Sequence, residues 1–336
     1  MQLSLQDFLS LRKELPVLDV RSQGEFSAGH IRGASSIPLL TDDERVVVGT
    51  TYKQKGQREA IREGFRLVGP RLLDLISHAE EISGGKEVLV HCWRGGMRSS
   101  NFSQFISMAG IRSRVLTGGY KAYREAALDS FRQPFQLVTL TGCTGSGKSE
   151  VLRELARQGE QVVDLEAMAH HKGSAFGGLL QLPQPTTEQF QNDLYEQLQS
   201  LDQTKRIWVE DESIAIGKIF LPSDFWAHMH RSPLVRMDVS KQVRVGRLVN
   251  EYGQADREEF LQIMAKVSKK LGGQNFLVAK EKLLQEDMAS VIDILLTYYD
   301  KAYLGSIDKR KEQLQLTVPW DGNNVASFVS DLIKNS

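Results

Sequence analysis

The chain has 336 residues, 41% of them hydrophobic and 25% charged, with 42 Lys+Arg set against 42 Asp+Glu. That length exceeds one small core and suits two domains of ordinary globular composition. The charge balance excludes a polycation, so any nucleic-acid surface has to be a local patch.

The only cysteines, Cys92 and Cys143, fall in two different glycine-rich stretches. They form no disulfide framework and suit a reducing compartment. The N-terminal run Met1-Gln2-Leu3-Ser4-Leu5-Gln6-Asp7 does not read as a signal peptide, and no segment approaches the ~20 apolar residues of a membrane span. The expectation is a cytoplasmic protein without membrane contact.

In chain order, residues 3–37 predict a short helix (Leu5 to Arg12), a strand (Pro16 to Val20) and a second short strand leading to Ile37-Pro38. Asp19 and Arg21 flank the end of the first strand, where they read equally as a surface ion pair or as support for a neighbouring loop. Residues 50–66 form an unusual stretch that leads into a helix over about 69–82. Tyr52, Lys53, Lys55, Arg58, Arg62 and Arg66 either rim a site for a phosphate-bearing partner or make up a solvated helical face.

The chain is organised around Val88-Leu89-Val90-His91-Cys92-Trp93-Arg94-Gly95-Gly96-Met97-Arg98-Ser99-Ser100. Three apolar residues predict a buried strand, a loop with Gly95 and Gly96 follows, and a helix is expected from Asn101 to Ala109. Cys92 opens the loop and Arg98 closes it, a Cys-x5-Arg spacing. Backbone N–H groups of such a loop converge above the sulfur, and the helix N-terminus adds positive potential. A thiol there is expected to be a thiolate near neutral pH, under a cradle that also holds an oxyanion. A buried structural cysteine is the plainer alternative, but Arg94, Gly95, Gly96 and Arg98 fit it poorly. Cys92 is therefore the expected nucleophile, with Arg94 and Arg98 beside it.

Residues 129–135 read as a linker between a domain over 1–130 and a second over 131–336. The second opens with the strand Gln136 to Leu140 and runs into Gly142-Cys143-Thr144-Gly145-Ser146-Gly147-Lys148-Ser149, a full G-x4-G-K-S match before a helix-compatible run. Gly142, Gly145 and Gly147 let backbone N–H groups wrap a phosphate chain, Lys148 reaches its terminal oxygens, and Ser149 can hold Mg²⁺. Cys143 reads as a small loop residue. Further strands are expected at 161–165, 206–210 and 234–239 with helices between them, giving a doubly wound α/β domain.

Glu210 and Asp211 end the middle strand, placed to order Mg²⁺ through water or simply to cap a helix. His170 and His171 lack the Cys or carboxylate spacing of a metal site, so no metal is assigned. The polar, glycine-rich segment around Lys172 is expected to face substrate. Arg244 and Arg247, one helical turn apart, form either a lid over phosphates, a contact with RNA backbone, or an exposed charged helix. Residues 275–304 predict an amphipathic helical pair, followed by a strand over 314–318 and a helix over 324–333.

The run Leu18-Asp19-Val20-Arg21, Glu25-Phe26, Gly29-His30-Ile31, Gly33-Ala34 and Ile37-Pro38 resembles the opening of rhodanese domains. Val115 to Tyr123 resembles their closing strand and turn. The resemblance implies an α/β parallel-sheet domain with a persulfide-type or selenide-type cysteine at Cys92. The fused order of this domain and a P-loop domain, together with Tyr52-Lys53-Gln54, the Cys92 loop, Gly142 to Ser149, Lys172 to Gly177 and Glu210 to Gly217, resembles the bacterial tRNA 2-selenouridine synthase family.

That resemblance implies selenium-for-sulfur exchange at C2 of wobble 2-thiouridine in tRNA, with selenophosphate as donor. It also implies geranyl transfer from geranyl diphosphate to give an S-geranyl intermediate. Selenophosphate, its supplier and tRNA are then the expected partners, with Mg²⁺ at the P-loop optional and no tightly bound cofactor. Tyr52, Lys53, Lys172, Arg244 and Arg247 are the candidate tRNA contacts, and Asp19, Arg21, Gly95 and Gly96 the support of the donor loop. Two other classes stay open: a Cys-x5-Arg phosphatase, and a P-loop kinase fused to a sulfurtransferase module.

Overall fold

A computed structural model describes residues 1–336, which divide into two compact units: Met1–Ser130 with Gln191–Glu196, and Phe131–Phe190 with Gln197–Ser336. No helix is long and apolar enough to cross a membrane.

The first unit is built on five parallel strands, β1 (Gln2–Leu3), β2 (Val17–Asp19), β3 (Ala34–Ser36), β4 (Val88–His91) and β5 (Ser113–Leu116), in the order β1-β5-β4-β2-β3. Every residue of β2 and β4 is buried, as expected for inner strands covered on both faces. In register, Val17 faces Leu89 and Leu18 faces Val90, and Leu18 and Val90 join Val20, Phe102, Ile106 and Val115 in one core. Chain connections leave β2 and β4 in opposite directions across the sheet. The carboxyl end of β4 is therefore a topological switch point, where open α/β sheets form their crevices. Cys92 is the next residue.

Three findings depart from the sequence reading of this unit. The edge strand β1 pairs with β5 where no strand was expected, since two residues carry no apolar run. The helix after the cysteine loop spans Met97–Met108, four residues earlier than expected, so Arg98 and Ser99 belong to its first turn. The unusual stretch over 50–66, to which the sequence reading assigned no element, lies within a helical hairpin, Asp42–Lys55 and Gln57–Val68, hinged at Gly56 with φ +85°. Thr41 caps the first helix through a reciprocal box with Glu44. A single 3-10 turn over Gly69–Arg71 then precedes the helix Leu72–Ser83. The charged residues of the hairpin masked its apolar spacing.

The second unit carries β6 (Leu137–Gly142), β7 (Gln161–Val163), β8 (Ile207–Glu210), β9 (Ala215–Ile216), β10 (Ile219–Phe220), β11 (Leu234–Asp238) and β12 (Leu314–Pro319). Five of them form a parallel sheet in the order β12-β11-β6-β8-β7, while β9 and β10 make a small antiparallel pair. The helix Lys148–Arg157 buries Val151, Leu152 and Leu155 against a core that contains Trp208, Val235, Met237 and Phe328. The helical pair expected near 275–304 is present as Gly273–Leu284 and Met288–Asp308, and its apolar faces close a second core around Phe260 and Met264. The register pairs Leu140 of β6 with Glu210 of β8, so the phosphate loop and the acidic end of β8 emerge side by side.

Candidate active site

Cys92 is 3% exposed at the end of β4, and its Sγ lies 3.2 Å from Ser99 Oγ, which itself donates to the Gly96 carbonyl at 3.1 Å. The unpaired N–H groups of the first turn of Met97–Met108 lie next along the chain, where a developing or incoming negative charge is stabilised. The loop is fixed from behind by the turn that follows β5. Tyr120 N donates to Cys92 O and Lys121 N to Trp93 O, both at 2.8 Å. This approach needs glycine on both sides. At Gly95 (φ +65°) a Cβ would stand 2.4 Å from Leu116 O, and at Gly119 (φ +60°) one would stand 2.3 Å from Cys92 O.

Asp19 and Arg21 reach the same loop at one remove. They form a fully buried pair, with Arg21 Nη2 2.7 Å from Asp19 Oδ2 and 2.6 Å from Gly29 O. The guanidinium lies 3.7 Å from the centre of the Tyr120 ring, and Tyr120 is the residue whose N–H holds Cys92 O. Burial pushes the Asp19 carboxyl up, but His91 and Arg21 more than offset this and hold it below its ordinary value.

Arg94 is exposed at the loop tip. Arg98 makes two hydrogen bonds to Glu25, at 2.6 and 3.1 Å. Burial raises the Glu25 carboxyl, yet the Arg98 guanidinium and the Ser22 donors bring it down to about 2.

The second cluster surrounds the glycine-rich loop after β6. Gly145 and Gly147 have φ +81° and +86°, and a Cβ on Gly147 would meet Arg247 and Trp320 within 3 Å. Lys148 Nζ donates to Gly142 O at 3.2 Å, across the mouth of the loop. Ser149 Oγ donates to Glu166 Oε2 at 2.8 Å, and Glu166 N donates to Glu210 Oε1 at 2.5 Å. A polar cavity of about 360 Å³ is lined by this loop together with Glu166, Asp211, Glu212, Arg247 and Tyr303. Burial and Glu166 push the Glu212 carboxyl up to about 8, against the pull of Lys148. Burial, followed by Asp300, raises the Cys143 thiol to about 11, which leaves it a poor nucleophile.

No group of three or more His, Cys, Asp or Glu side chains is arranged to hold a metal by itself. A Mg²⁺ at Ser149 and Glu166 fits nonetheless, because Mg²⁺ at phosphate sites draws most of its ligands from phosphate and water. Bound there, it would neutralise phosphate charge. One carboxyl oxygen of the neighbouring Glu210 is buried with no hydrogen-bond partner, and burial together with Asp164 and Glu166 pushes this carboxyl well above its ordinary value, which favours the neutral acid over a cation ligand.

Comparison with known proteins assigns both halves of the chain. The family model described as the tRNA 2-selenouridine synthase AAA domain matches residues 135–334, and the rhodanese-like domain model matches residues 4–126. This chain belongs to the tRNA 2-selenouridine synthase family. A tRNA 2-selenouridine synthase of Nitrosomonas europaea is 33% identical over 350 residues, covering 89% of this chain and 90% of that protein. Those of Bdellovibrio bacteriovorus (32% identical; 89% and 90% covered) and Shewanella sediminis (33% identical; 89% and 89% covered) are similar to it to the same degree.

Within this member of the family, the remaining sequence candidates are distributed unevenly. Tyr52 and Lys53 are exposed on the first hairpin helix of the rhodanese-like unit. In the other unit, Lys172 bonds Glu251 at 2.6 Å, and Arg247 pairs with Glu150 while its guanidinium lies 5.1 Å from the Trp320 ring centre. Both line the phosphate-loop cavity.

Arg244 departs from the expectation of a contact residue. It is 4% exposed and bonds both carboxylate oxygens of Asp300 at 2.8 Å and the Thr144 carbonyl at 3.2 Å, so its guanidinium is used inside the unit to hold the loop. Asp211 departs too, since its carboxylate is occupied by Arg310 and, at 2.7 Å, by Thr141. Glu210 faces inward, and the carboxylate that touches Ser149 is Glu166, which sequence reasoning missed. It sits in the first turn of the helix Leu165–Ala169 that follows β7, and only the pairing of β7 with β8 brings it beside the loop. Ser99 was missed as well, because the helix start was placed too late.

Proposed function

We propose that this chain replaces the sulfur at C2 of wobble 2-thiouridine in tRNA by selenium from selenophosphate, through an S-geranyl intermediate made from geranyl diphosphate. The supporting observation is the pairing, in one member of this family, of a cysteine under an anion-binding loop with a separate phosphate cradle. Geranyl diphosphate offers a pyrophosphate to the cradle of Gly142, Gly145, Gly147, Lys148 and Ser149. Transfer of the geranyl group to the thiocarbonyl sulfur releases that pyrophosphate. It also converts the poorly leaving thiocarbonyl sulfur into a thioether that can depart as geranylthiolate.

Selenium then enters at C2 as the geranylthiolate departs. Selenophosphate, water and S-geranyl-tRNA together give seleno-tRNA, phosphate and geranylthiol, with no net oxidation or reduction. Cys92 handles the selenium. Arg94, Arg98 and the first-turn N–H groups of the following helix hold the oxyanion of the donor. An enzyme that makes selenophosphate supplies that donor, and tRNA places the reaction in the cytoplasm. Tyr52, Lys53, Lys172 and Arg247 stand as candidate contacts to the tRNA backbone.

The test is mass spectrometry of tRNA nucleosides after incubation of the purified chain with thiolated tRNA and selenophosphate, with and without geranyl diphosphate. Selenouridine is expected only when both donors are present. In Cys92→Ser, S-geranyl-tRNA should accumulate and selenouridine should be absent. Normal selenouridine formation by that variant would end the assignment of Cys92.

A further inference from the structure

The helical hairpin of the first unit encloses a second cavity, of about 600 Å³, beside the Cys92 loop. Its walls are almost wholly apolar: Leu40, Val48, Ile61, Phe65, Trp93 and Phe105 all line it. The hairpin sequence explains why. On the second helix Ala60, Ile61, Gly64, Phe65 and Val68 recur at three- and four-residue spacing and turn an apolar stripe toward the space between the helices, which Val48 and Tyr52 of the first helix meet from the other side. Such a stripe normally disappears into a core. Here Tyr52 remains 52% and Phe65 55% exposed, at the open side of a cavity that the fold leaves unfilled.

The polar side chains at the cavity are grouped. Arg45, Arg98 and Glu25 line it together, and Glu25 lies 3.8 Å from Arg45 and 2.6 Å from Arg98. Trp93, Met97 and Arg98 belong at once to the cavity wall and to the segment that starts at Cys92. A ligand whose reacting atom stands over Cys92 therefore has an apolar recess within reach of any chain attached to that atom. A volume of this size takes a chain of about ten carbons with room to bend.

We propose that this cavity is a prenyl-chain site that holds the geranyl group of S-geranyl-2-thiouridine while C2 faces the selenium at Cys92. The assignment rests on the reading above that S-geranyl-tRNA is the substrate of the selenium step, and it adds a site and a source of specificity which that reading lacks. The chain anchors the nucleoside, Arg98 faces the donor anion, and the departing geranylthiol already sits in an apolar environment.

Binding is measured first, by calorimetry with the full chain and the free nucleosides S-geranyl-2-thiouridine and S-methyl-2-thiouridine. The geranyl form should bind at least tenfold more tightly. Ile61→Trp, which fills the cavity, and Phe65→Ser, at an exposed position that tolerates a polar residue, should both remove that preference while the chain melts as a folded protein. Equal binding of the two nucleosides by the wild type, or an undiminished preference in Phe65→Ser, overturns the cavity.

Conversion to selenouridine is measured second. The KM for S-geranyl-tRNA should rise at least tenfold in Phe65→Ser, and S-geranylation from geranyl diphosphate should fall less than selenation does. A larger fall in S-geranylation would put the chain of the donor in the cavity instead and overturn the proposal. If the wild type binds the geranyl nucleoside selectively yet never converts S-geranyl-tRNA, the selenium route falls and the prenyl site stands.

Discussion

Arg98 and Glu25 are bonded through both terminal guanidinium nitrogens and both carboxylate oxygens, at 2.6 and 3.1 Å, so the arginine at the edge of the Cys92 loop is held in place before any ligand arrives. Such a fork presents its remaining N–H groups in a fixed direction and limits the entropy lost when an anion binds. Arg98→Ala should therefore reduce use of selenophosphate by a hundredfold or more while leaving S-geranylation largely intact. Glu25→Gln keeps the shape but loosens the fork, so its defect should be smaller and should appear mainly in the KM for selenophosphate. Equal loss of both partial reactions in either variant would indicate a folding defect.

The same pair sets an acid limit. Because the folded state holds Glu25 at about 2, below the ordinary carboxylate value, it contributes stability that is present above about pH 4.5 and is lost as pH falls toward 2. Both side chains retain some solvent contact, so the contribution is about 1–2 kcal/mol. Urea unfolding of wild type and Glu25→Gln should differ by that amount at pH 6 and converge near pH 2. A difference that does not change with pH would assign the effect to packing.

Gly119 tests the support of the loop from behind. Any side chain there meets Cys92 O at 2.3 Å and Gly95 N at 2.4 Å, and the backbone is already at φ +60°. Gly119→Ala should cost about 1–3 kcal/mol and displace the loop, with selenium incorporation lost even at temperatures where the protein stays folded. S-Geranylation by that folded protein should persist. Retained selenation would show that the loop tolerates the substitution.

These tests lean on parts of the molecule that differ in how readable they were. The inner strands of both sheets and both loops were legible, because continuous apolar runs such as Val88-Leu89-Val90 and Leu137-Val138-Thr139-Leu140 are bounded by glycine-rich turns, whereas the two-residue strands β1, β9 and β10 carry no such run. The hairpin over 42–68 was not. Its apolar residues face an open cavity, and its exposed basic residues read equally as a rim for a phosphate-bearing partner or as a solvated face. Arg244 was misplaced for the converse reason, since its partner Asp300 lies 56 residues away and only tertiary packing brings the two together. Glu166 was passed over because its link to Ser149 depends on the pairing of β7 with β8, which sequence spacing does not encode.

Glu212 gives the second unit an alkaline limit. Its carboxyl, raised to about 8 by burial and Glu166, favours the protonated form in the folded state. The associated stability is complete below about pH 4.5 and is lost as pH rises through 8. With EDTA present, wild-type stability should fall between pH 6 and 9 by about 2–3 kcal/mol at most, the loss ending once the folded-state carboxyl has ionised. Glu212→Gln should reduce the slope of that limb, the remainder belonging to the buried Glu210 carboxyl, which burial, Asp164 and Glu166 also raise. An unchanged alkaline slope would assign the loss to another group.

Lys148 decides what the phosphate cradle holds. Its ammonium bonds Gly142 O across the mouth of the loop, poised for exchange onto a phosphate oxygen, where charge-assisted contacts contribute about 2–4 kcal/mol. If the ligand is geranyl diphosphate, Lys148→Ala should block S-geranylation of thiolated tRNA by a hundredfold or more. Supplied S-geranyl-tRNA should still be converted to the seleno form, because Cys92, Arg98 and Ser99 lie in the other unit and are untouched. If the cradle instead hydrolyses ATP to drive the reaction, wild-type turnover should require ATP, and supplied S-geranyl-tRNA should not rescue the variant. The cradle contains a serine, a lysine and the nearby Glu166, the parts that a nucleotide site would also use. The discriminating measurement is therefore turnover by the purified chain with geranyl diphosphate and selenophosphate in the strict absence of nucleotide. Product formed under those conditions assigns the cradle to the isoprenoid diphosphate, and dependence on ATP overturns that assignment.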